Sequence, residues 1–130
     1  MMTRWRGVKK MNTADRTKHA TESTNDAEIW IRYGDEMMHK GELPKAMEYY
    51  DQALASSSTH TLASAWHSKA NALDSVGRHE EAIACYDNAL KCDPHNAECW
   101  FNKGLTLKKV GKEDEGLACI NQGVLIAMGR

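Results

Sequence analysis

The residues best suited to bind a metal ion are Cys85, Cys92, His95 and Cys99, which lie close together in the sequence. Structural zinc sites usually pair their cysteines two to four residues apart, with a second pair following. Here the cysteines are seven residues apart, and the stretch crosses the junction between two predicted helices. We interpret the cysteines as small buried side chains that stay reduced. We therefore expect no metal and no other cofactor.

The side chains capable of acid–base or nucleophilic catalysis do not form a recognisable site. The six histidines lie near predicted turns or on helix surfaces, and no Ser or Cys motif accompanies them. Acidic runs such as Glu80-Glu81 fall in predicted first helical turns, where they favour the positive end of the helix dipole. The sequence also lacks a glycine-rich phosphate loop. We predict a protein that binds a partner and is not an enzyme.

One pattern of residues occurs three times along the chain. Trp66 and Trp100 are 34 residues apart, whereas Trp30 and Trp66 are 36 apart, and the glycines that follow each Trp keep the same spacing. The two extra residues must lie between Leu54 and Trp66. This segment, "ASSSTHTLASA", is rich in Ser and Thr, so we predict a lengthened loop there.

Each unit is predicted to form two helices, as the middle unit illustrates. Small and apolar residues recur every three or four positions, which is typical of one buried helix face, and Gly77 then marks a helix end. The second helix must stop before Pro94. One such hairpin cannot bury its apolar face alone, so the copies must stack. The residues that define this pattern are Ala63, Trp66, Ala70 and Leu73, then Ala82, Tyr86, Ala89 and Leu90.

These residues resemble the tetratricopeptide repeat, a 34-residue helix–turn–helix unit. The first unit shares Trp30, Gly41 and Tyr50 with the pattern but has Ser58 in place of Pro. The third drifts in its second half, where the expected Ala, aromatic and Ala are Gly116, Ile120 and Gly123. The resemblance implies an all-α fold, a right-handed superhelical solenoid of three antiparallel helix–turn–helix repeats. We place these repeats at residues 27–60, 63–96 and 97–130, the last one degenerate in its second helix. Each glycine inside that helix costs about 1 kcal/mol relative to Ala.

In proteins of this family the first helix of each unit lines a concave groove. The resemblance therefore implies a protein-interaction module that binds a short peptide segment of a partner, whose identity is unknown. We expect His67, Asn71 and Asn102 to hold the backbone or a carboxylate of such a ligand. The predicted groove residues are Ile31, Arg32, Asp35, Met38, His67, Asn71, Asp74, Phe101, Asn102, Leu105 and Lys108.

Four of the groove residues, Ile31, Met38, Phe101 and Leu105, are apolar and are expected to take apolar side chains of the ligand. One subtype of the family clamps the acidic C-terminal tail of heat-shock chaperones with Lys and Asn side chains. This chain has Ile31 and Asp35 where the first unit of that subtype needs Lys and Asn. A short amphipathic ligand therefore fits the predicted groove better than a chaperone tail.

The apolar segment near the end of the chain, "GVLIAMGR", supports a second hypothesis. A terminal repeat is expected to have a polar outer face, which this segment does not provide. Val124, Leu125 and Met128 could instead mediate self-association. The alternative function is thus a structural self-assembly unit, a homo-oligomer formed through the C-terminal helix.

The first 26 residues differ from the repeats in pattern and charge. Residues 1–20 carry six Lys or Arg against one Asp, whereas residues 21–130 carry eleven against seventeen acidic residues. We predict a basic, disordered leader, or an extension ahead of a true start at Met11. Its scattered basic residues are weak evidence for nucleic-acid binding. The longest apolar stretch is far shorter than the roughly 20 residues of a membrane helix, so we expect a cytoplasmic protein without a membrane partner.

Overall fold

The computed structural model describes residues 23–129, which form six α-helices and no strands. This result confirms the predicted all-α helical repeat. The leader up to residue 22 lies outside the described residues. Residues 23–26, predicted to belong to it, form the first turn of the first helix, where Asp26 favours the helix dipole. The helices are α1 (Ser23–His39), α2 (Leu43–Ser56), α3 (Thr59–Ser75), α4 (His79–Cys92), α5 (Ala97–Lys109) and α6 (Glu113–Ala127).

Three glycines end the odd-numbered helices and turn the chain into the even-numbered ones. Gly41, Gly77 and Gly111 have φ angles of 76°, 86° and 88°, a region that glycine enters without steric cost. After Gly77, the Arg78 N–H donates to the Leu73 carbonyl at 2.9 Å, as in a Schellman motif. The equivalent hydrogen bonds close the other two turns, also at 2.9 Å: the Glu42 N–H donates to the Met37 carbonyl and the Lys112 N–H donates to the Leu107 carbonyl. The three glycine turns therefore produce three antiparallel hairpins.

The lengthened loop predicted between the first two hairpins is wrong. Only Ser57 and Ser58 separate α2 from α3, and α3 has 17 residues where the equivalent α5 has 13. The Ser58 N–H donates to the Thr61 hydroxyl at 3.1 Å, and Thr61 is buried. This reciprocal cap stabilises the start of a helix in a segment that composition alone assigns to a loop. α3 is thus four residues longer than α5 and the loop before it is two residues shorter, which accounts for the two extra residues.

The core of the stack is built mostly from alanines around two tyrosines. Tyr50 and Tyr86 are each 1% exposed, and both rings lie against the odd-numbered helix of their own hairpin. Trp66 and Trp100 are partly buried at the edge of the cluster around Tyr86. Ala46 and Ala53 of the first hairpin are buried, and so are the predicted core residues Ala63, Ala70, Leu73, Ala82, Ala89 and Leu90.

The third hairpin is packed more closely than its sequence suggested. α6 runs without a break through Gly116 and Gly123. A Cβ atom on Gly116 would lie 2.7 Å from the Gly104 carbonyl oxygen, and one on Gly123 would lie 2.8 Å from the Ala97 carbonyl oxygen. No larger side chain fits these positions without a shift. The second helix of the degenerate third repeat is thus continuous, and its glycines allow α5 and α6 to touch along their backbones.

Each hairpin contacts only the next one along the chain. α3 packs on α1 and α2, and α5 packs on α4 and touches α3. Within residues 23–129 the first and third hairpins make no contact with each other. No helix in this part of the chain has the length and apolar character needed to span a membrane.

Candidate functional site

The predicted groove residues lie on α1, α3 and α5, and we call their shared side the groove face. Two interactions show that α3 and α5 bring their polar residues together. The Asn102 amide nitrogen lies 3.1 Å from His67 Nε2 and 3.4 Å from Asn71 Oδ1. Three residues predicted to hold a ligand thus form one cluster at the centre of the groove face.

Burial and hydrogen bonding fix the chemical state of His67. Burial lowers the pKa of His67 below its ordinary value, and the nearby Glu98 carboxylate opposes this only in part. The ring is therefore neutral at pH 7 and accepts the Asn102 amide proton at Nε2, which leaves its own proton on Nδ1. Neither His67 Nδ1 nor Asn102 Oδ1 has another hydrogen-bond partner among the described residues. This hydrogen bond leaves one donor on His67 and one acceptor on Asn102 without a protein partner among these residues.

Asn71 also has a structural role that sequence reasoning missed. The Tyr86 hydroxyl donates to Asn71 Oδ1 at 2.5 Å, and the Tyr50 hydroxyl donates to Asp35 Oδ1 at the same distance. In the third hairpin the equivalent pair is Leu105 and Ile120. The residue on the odd-numbered helix is therefore polar only where its hairpin supplies a tyrosine hydroxyl. The two positions thus change together, from a polar residue opposite Tyr to Leu105 opposite Ile120. This joint change is visible in the sequence and could have predicted the hydrogen bond.

Asp74 is held in a junction between three helices. Lys109 Nζ donates to Asp74 Oδ2 at 2.9 Å, and His79 Nδ1 donates to Asp74 Oδ1 at 2.7 Å. Burial alone would raise the pKa of Asp74, but hydrogen bonds from Lys109, His79 and Thr106 outweigh it and lower the pKa. Asp74 is therefore an ionised structural partner, already satisfied by the protein.

The lysine that reaches Asp74 is Lys109, whereas the sequence analysis had selected Lys108. Lys108 Nζ lies 4.0 Å from a Glu113 carboxylate oxygen, at the turn into α6. The pairs Asp74–Lys109 and His67–Asn102 are both 35 residues apart, one repeat plus one residue. That spacing is the sequence signal for contacts between neighbouring odd-numbered helices.

The apolar groove residues divide between the core and the surface. Phe101 and Leu105 on α5 are 42% and 40% exposed. Ile31 and Met38 on α1 are partly buried and pack against the cluster around Tyr50. Arg32 lies exposed beside them. The apolar contact surface is therefore concentrated on α5, next to the His67–Asn102 cluster.

A cavity of about 610 Å³ lies between the N-terminal halves of α1 and α3 and the loop that joins α4 to α5. Its lining is mainly polar and includes the carboxylates of Glu28 and Asp93. Asn96, which also lines it, caps α5 by accepting the Cys99 N–H at 3.0 Å. The remaining lining residues are Thr61, Ala63, Ser64 and Cys92. A ligand entering at this end would meet an acidic, open surface.

Most of the cysteines are removed from reactive chemistry. Cys85, Cys99 and Cys119 are buried and carry no disulfide. Burial raises the pKa of all three thiols, that of Cys99 to about 12. The described residues contain no group of three His, Cys, Asp or Glu side chains arranged to hold a metal ion.

The repeat pattern agrees with known protein families. A family described as TPR repeat matches residues 70–111, and one described as tetratricopeptide repeat matches residues 27–60 and 97–127. The chain belongs to the tetratricopeptide repeat family. Residues 61–69, between these matches, include the remaining part of the segment predicted as a loop.

One curated relative and two solved structures are similar to this chain, and the solved structures share its fold. An uncharacterized protein of Methanocaldococcus jannaschii is 35% identical over 74 residues, which is 57% of this chain and 84% of that protein. The second TPR of Spaghetti (RPAP3), bound to an HSP90 peptide, superposes with a TM-score of 0.71 at 19% identity, covering 88% of this chain and 98% of that one. The structure of MamA gives a TM-score of 0.69 at 19% identity, covering 88% of this chain and 65% of that one.

Proposed function

We propose that this tetratricopeptide protein is a non-enzymatic interaction module that binds a short peptide segment of a partner protein on its groove face. The observation that carries the proposal is the placement of Phe101 and Leu105, both about two-fifths exposed, beside the His67–Asn102 cluster. Exposed apolar side chains next to unsatisfied polar groups are typical of a peptide site.

The central cluster supplies contacts for a peptide backbone. The His67 Nδ1–H donates to a peptide carbonyl, and Asn102 Oδ1 accepts a peptide N–H. Phe101 and Leu105 take one or two apolar side chains of the same segment. A few such anchors correspond to an affinity in about the micromolar range.

Charge along the groove face favours an amphipathic ligand. Glu28 and Asp93 line the cavity, whereas Lys109 is paired with Asp74. The structurally similar second TPR of Spaghetti (RPAP3) is bound to the HSP90 peptide SRMEEVD. On this chain the carboxylates of Glu28 and Asp93 make the cavity acidic, so we propose a ligand with apolar residues in its middle and a neutral or basic end at the cavity.

The test is a selection of peptides from a random displayed library on the purified protein, followed by calorimetric titration. We expect Phe101→Ala to weaken binding of the selected peptides at least tenfold, because truncation of a central anchor costs more than about 1.4 kcal/mol. Val76→Ala is the matched control, since Val76 is 44% exposed but lies in the turn after α3. Equal binding by both variants, or a loss of binding that only follows a loss of melting temperature, would contradict the proposal.

A further inference from the structure

The two internal junctions of the stack use the same arrangement of side chains. At the first junction, Lys69 Nζ lies 2.9 Å from Asp51 Oδ1 on the preceding hairpin and 5.7 Å from the centre of the Trp66 ring. An ion pair on top of an aromatic ring thus joins α3 to α2. The second junction has the same contacts, at 2.5 Å and 5.7 Å, made by Lys103, Asp87 and Trp100.

At the two ends of the stack both members of this ion pair are replaced by neutral residues. The position of Lys69 and Lys103 is held by Tyr33 in the first hairpin, and that of Asp51 and Asp87 is held by Asn121 in the third. Tyr33 makes an edge contact with Trp30, with the ring centres 6.0 Å apart, while the face of Trp30 is stacked on Tyr49 of α2. The substitutions leave each end with a neutral hydrogen-bonding group where the inner junctions carry a charge.

The same two ends leave uncovered apolar residues that are buried at the internal junctions. Ile29 is 38% exposed, whereas its equivalents Ala65 and Cys99 are fully buried. Val124 is 43% exposed, whereas its equivalent Leu90 is 8% exposed and its equivalent Leu54 is partly buried. Ile29 is larger than its equivalents, and Val124 is smaller than Leu90. If Ile29 packed against Val124, the larger side chain on one surface would therefore fill the space left by the smaller one on the other. Leu125 and Met128, which are 44% and 59% exposed, extend the apolar surface of α6.

We infer that a second copy of this chain covers these ends, with α1 of one copy packed on α6 of the next as α3 packs on α2 within the chain. Tyr33 of one copy would donate to the Asn121 side chain of its neighbour, in place of the internal ion pair. Because the two contacting surfaces differ, the interface is head-to-tail and can repeat along a filament. The groove face stays open and continues from one copy to the next.

The test uses the full chain in sedimentation velocity from low-micromolar to sub-millimolar concentration. We expect the average mass of the wild type to rise with concentration. Ile29→Asp and Val124→Asp, which each place a charge on one of the two surfaces, should both remain monomeric. Ala118→Asp is the matched control on α6, because Ala118 is exposed and its equivalent Ala84 stays exposed in the middle hairpin, so this variant should associate like the wild type.

Mixing the two single variants separates head-to-tail stacking from other modes. Each retains the surface that the other has lost, so an equal mixture of Ile29→Asp and Val124→Asp should form a dimer and stop there. Circular dichroism confirms that both variants are folded. A wild type that is monomeric throughout, a dimer of Ile29→Asp alone, or a mixture that stays monomeric would overturn the inference.

A second pair of substitutions tests the register of the interface. Tyr33→Lys combined with Asn121→Asp rebuilds the internal ion pair between copies. We expect this variant to associate with an added dependence on salt that the wild type lacks. Unchanged salt dependence would show that these two positions do not meet.

Discussion

The hydroxyl groups of Tyr50 and Tyr86 determine which residue stands opposite them on the groove face. Both hydroxyls are largely enclosed and each donates to a side chain of the odd-numbered helix in its hairpin, Asp35 or Asn71. An enclosed hydroxyl without a partner costs about 1–3 kcal/mol, so Asp35 and Asn71 stabilise the fold. The third hairpin avoids the requirement with Leu105 and Ile120.

The energetic coupling between Asn71 and Tyr86 can be measured with a double-mutant cycle on the middle hairpin. Asn71→Leu alone leaves the Tyr86 hydroxyl unpaired and should lower the free energy of unfolding by about 1–3 kcal/mol. Tyr86→Phe alone removes one hydrogen bond and should cost about 1 kcal/mol. The double variant has two apolar residues at these positions, as the third hairpin does with Leu105 and Ile120. Its loss in free energy of unfolding should therefore be clearly smaller than the sum of the losses of the two single variants. Urea denaturation measures all three, and strictly additive losses would argue against the coupling.

The depressed pKa of His67 predicts how the stability depends on pH. The folded state holds the ring neutral, whereas the unfolded chain protonates it near its ordinary pKa of 6.5. The unfolded state therefore binds more protons below about pH 6.5, and the free energy of unfolding should fall as the pH drops from there towards the folded pKa. His67→Gln should show a shallower fall than the wild type in urea denaturation between neutral and mildly acidic pH. Parallel curves would mean that His67 does not carry this dependence.

The close contact between α5 and α6 reverses the usual preference for alanine over glycine in a helix. A methyl group at Gly116 would approach the Gly104 carbonyl oxygen to 2.7 Å. The gain in helix propensity from Gly116→Ala is about 1 kcal/mol, but overpacking of this kind costs about 1–3 kcal/mol. We expect a net loss of stability, measured by thermal and urea denaturation.

The matched control for that prediction lies two residues further along, on the exposed side of the same helix. Ala118→Gly should be destabilising by about 1 kcal/mol from propensity alone. The two sites should therefore prefer opposite residues. A stabilising effect of Gly116→Ala would show that the helices can separate at little cost.

The sequence predicted the secondary-structure elements correctly where the local backbone conformation allows only one type of residue. A left-handed φ at a helix end calls for glycine, so Gly77 and its equivalents marked the hairpin turns correctly. The start of α3 was missed because Ser58 and Thr61 form a helix cap in a segment whose composition suggests a loop. The roles of Asp74 and Lys109 depend on contacts between residues 35 apart, which follow only once the stack is known.

The position of a hairpin in the whole stack decides how much a given residue contributes to stability. Leu90 and Val124 occupy equivalent positions, but only Leu90 is covered by a following hairpin. Leu90→Ala should cost about 2–5 kcal/mol, the range for buried leucines. Val124→Ala should change stability by no more than about 0.5 kcal/mol. Urea denaturation at low protein concentration gives both values, and similar costs at the two positions would show that the third hairpin is covered within the chain.

The absence of contact between the first and third hairpins, within residues 23–129, has a mechanical consequence. Two junctions connected in this way behave as springs in series, so small rotations at each add up across the molecule. A ligand that grips α1 and α5 at once must supply the elastic energy needed to set the distance between them. A ligand confined to α3 and α5 bends only one junction, and the His67–Asn102 pair already sets the spacing it meets.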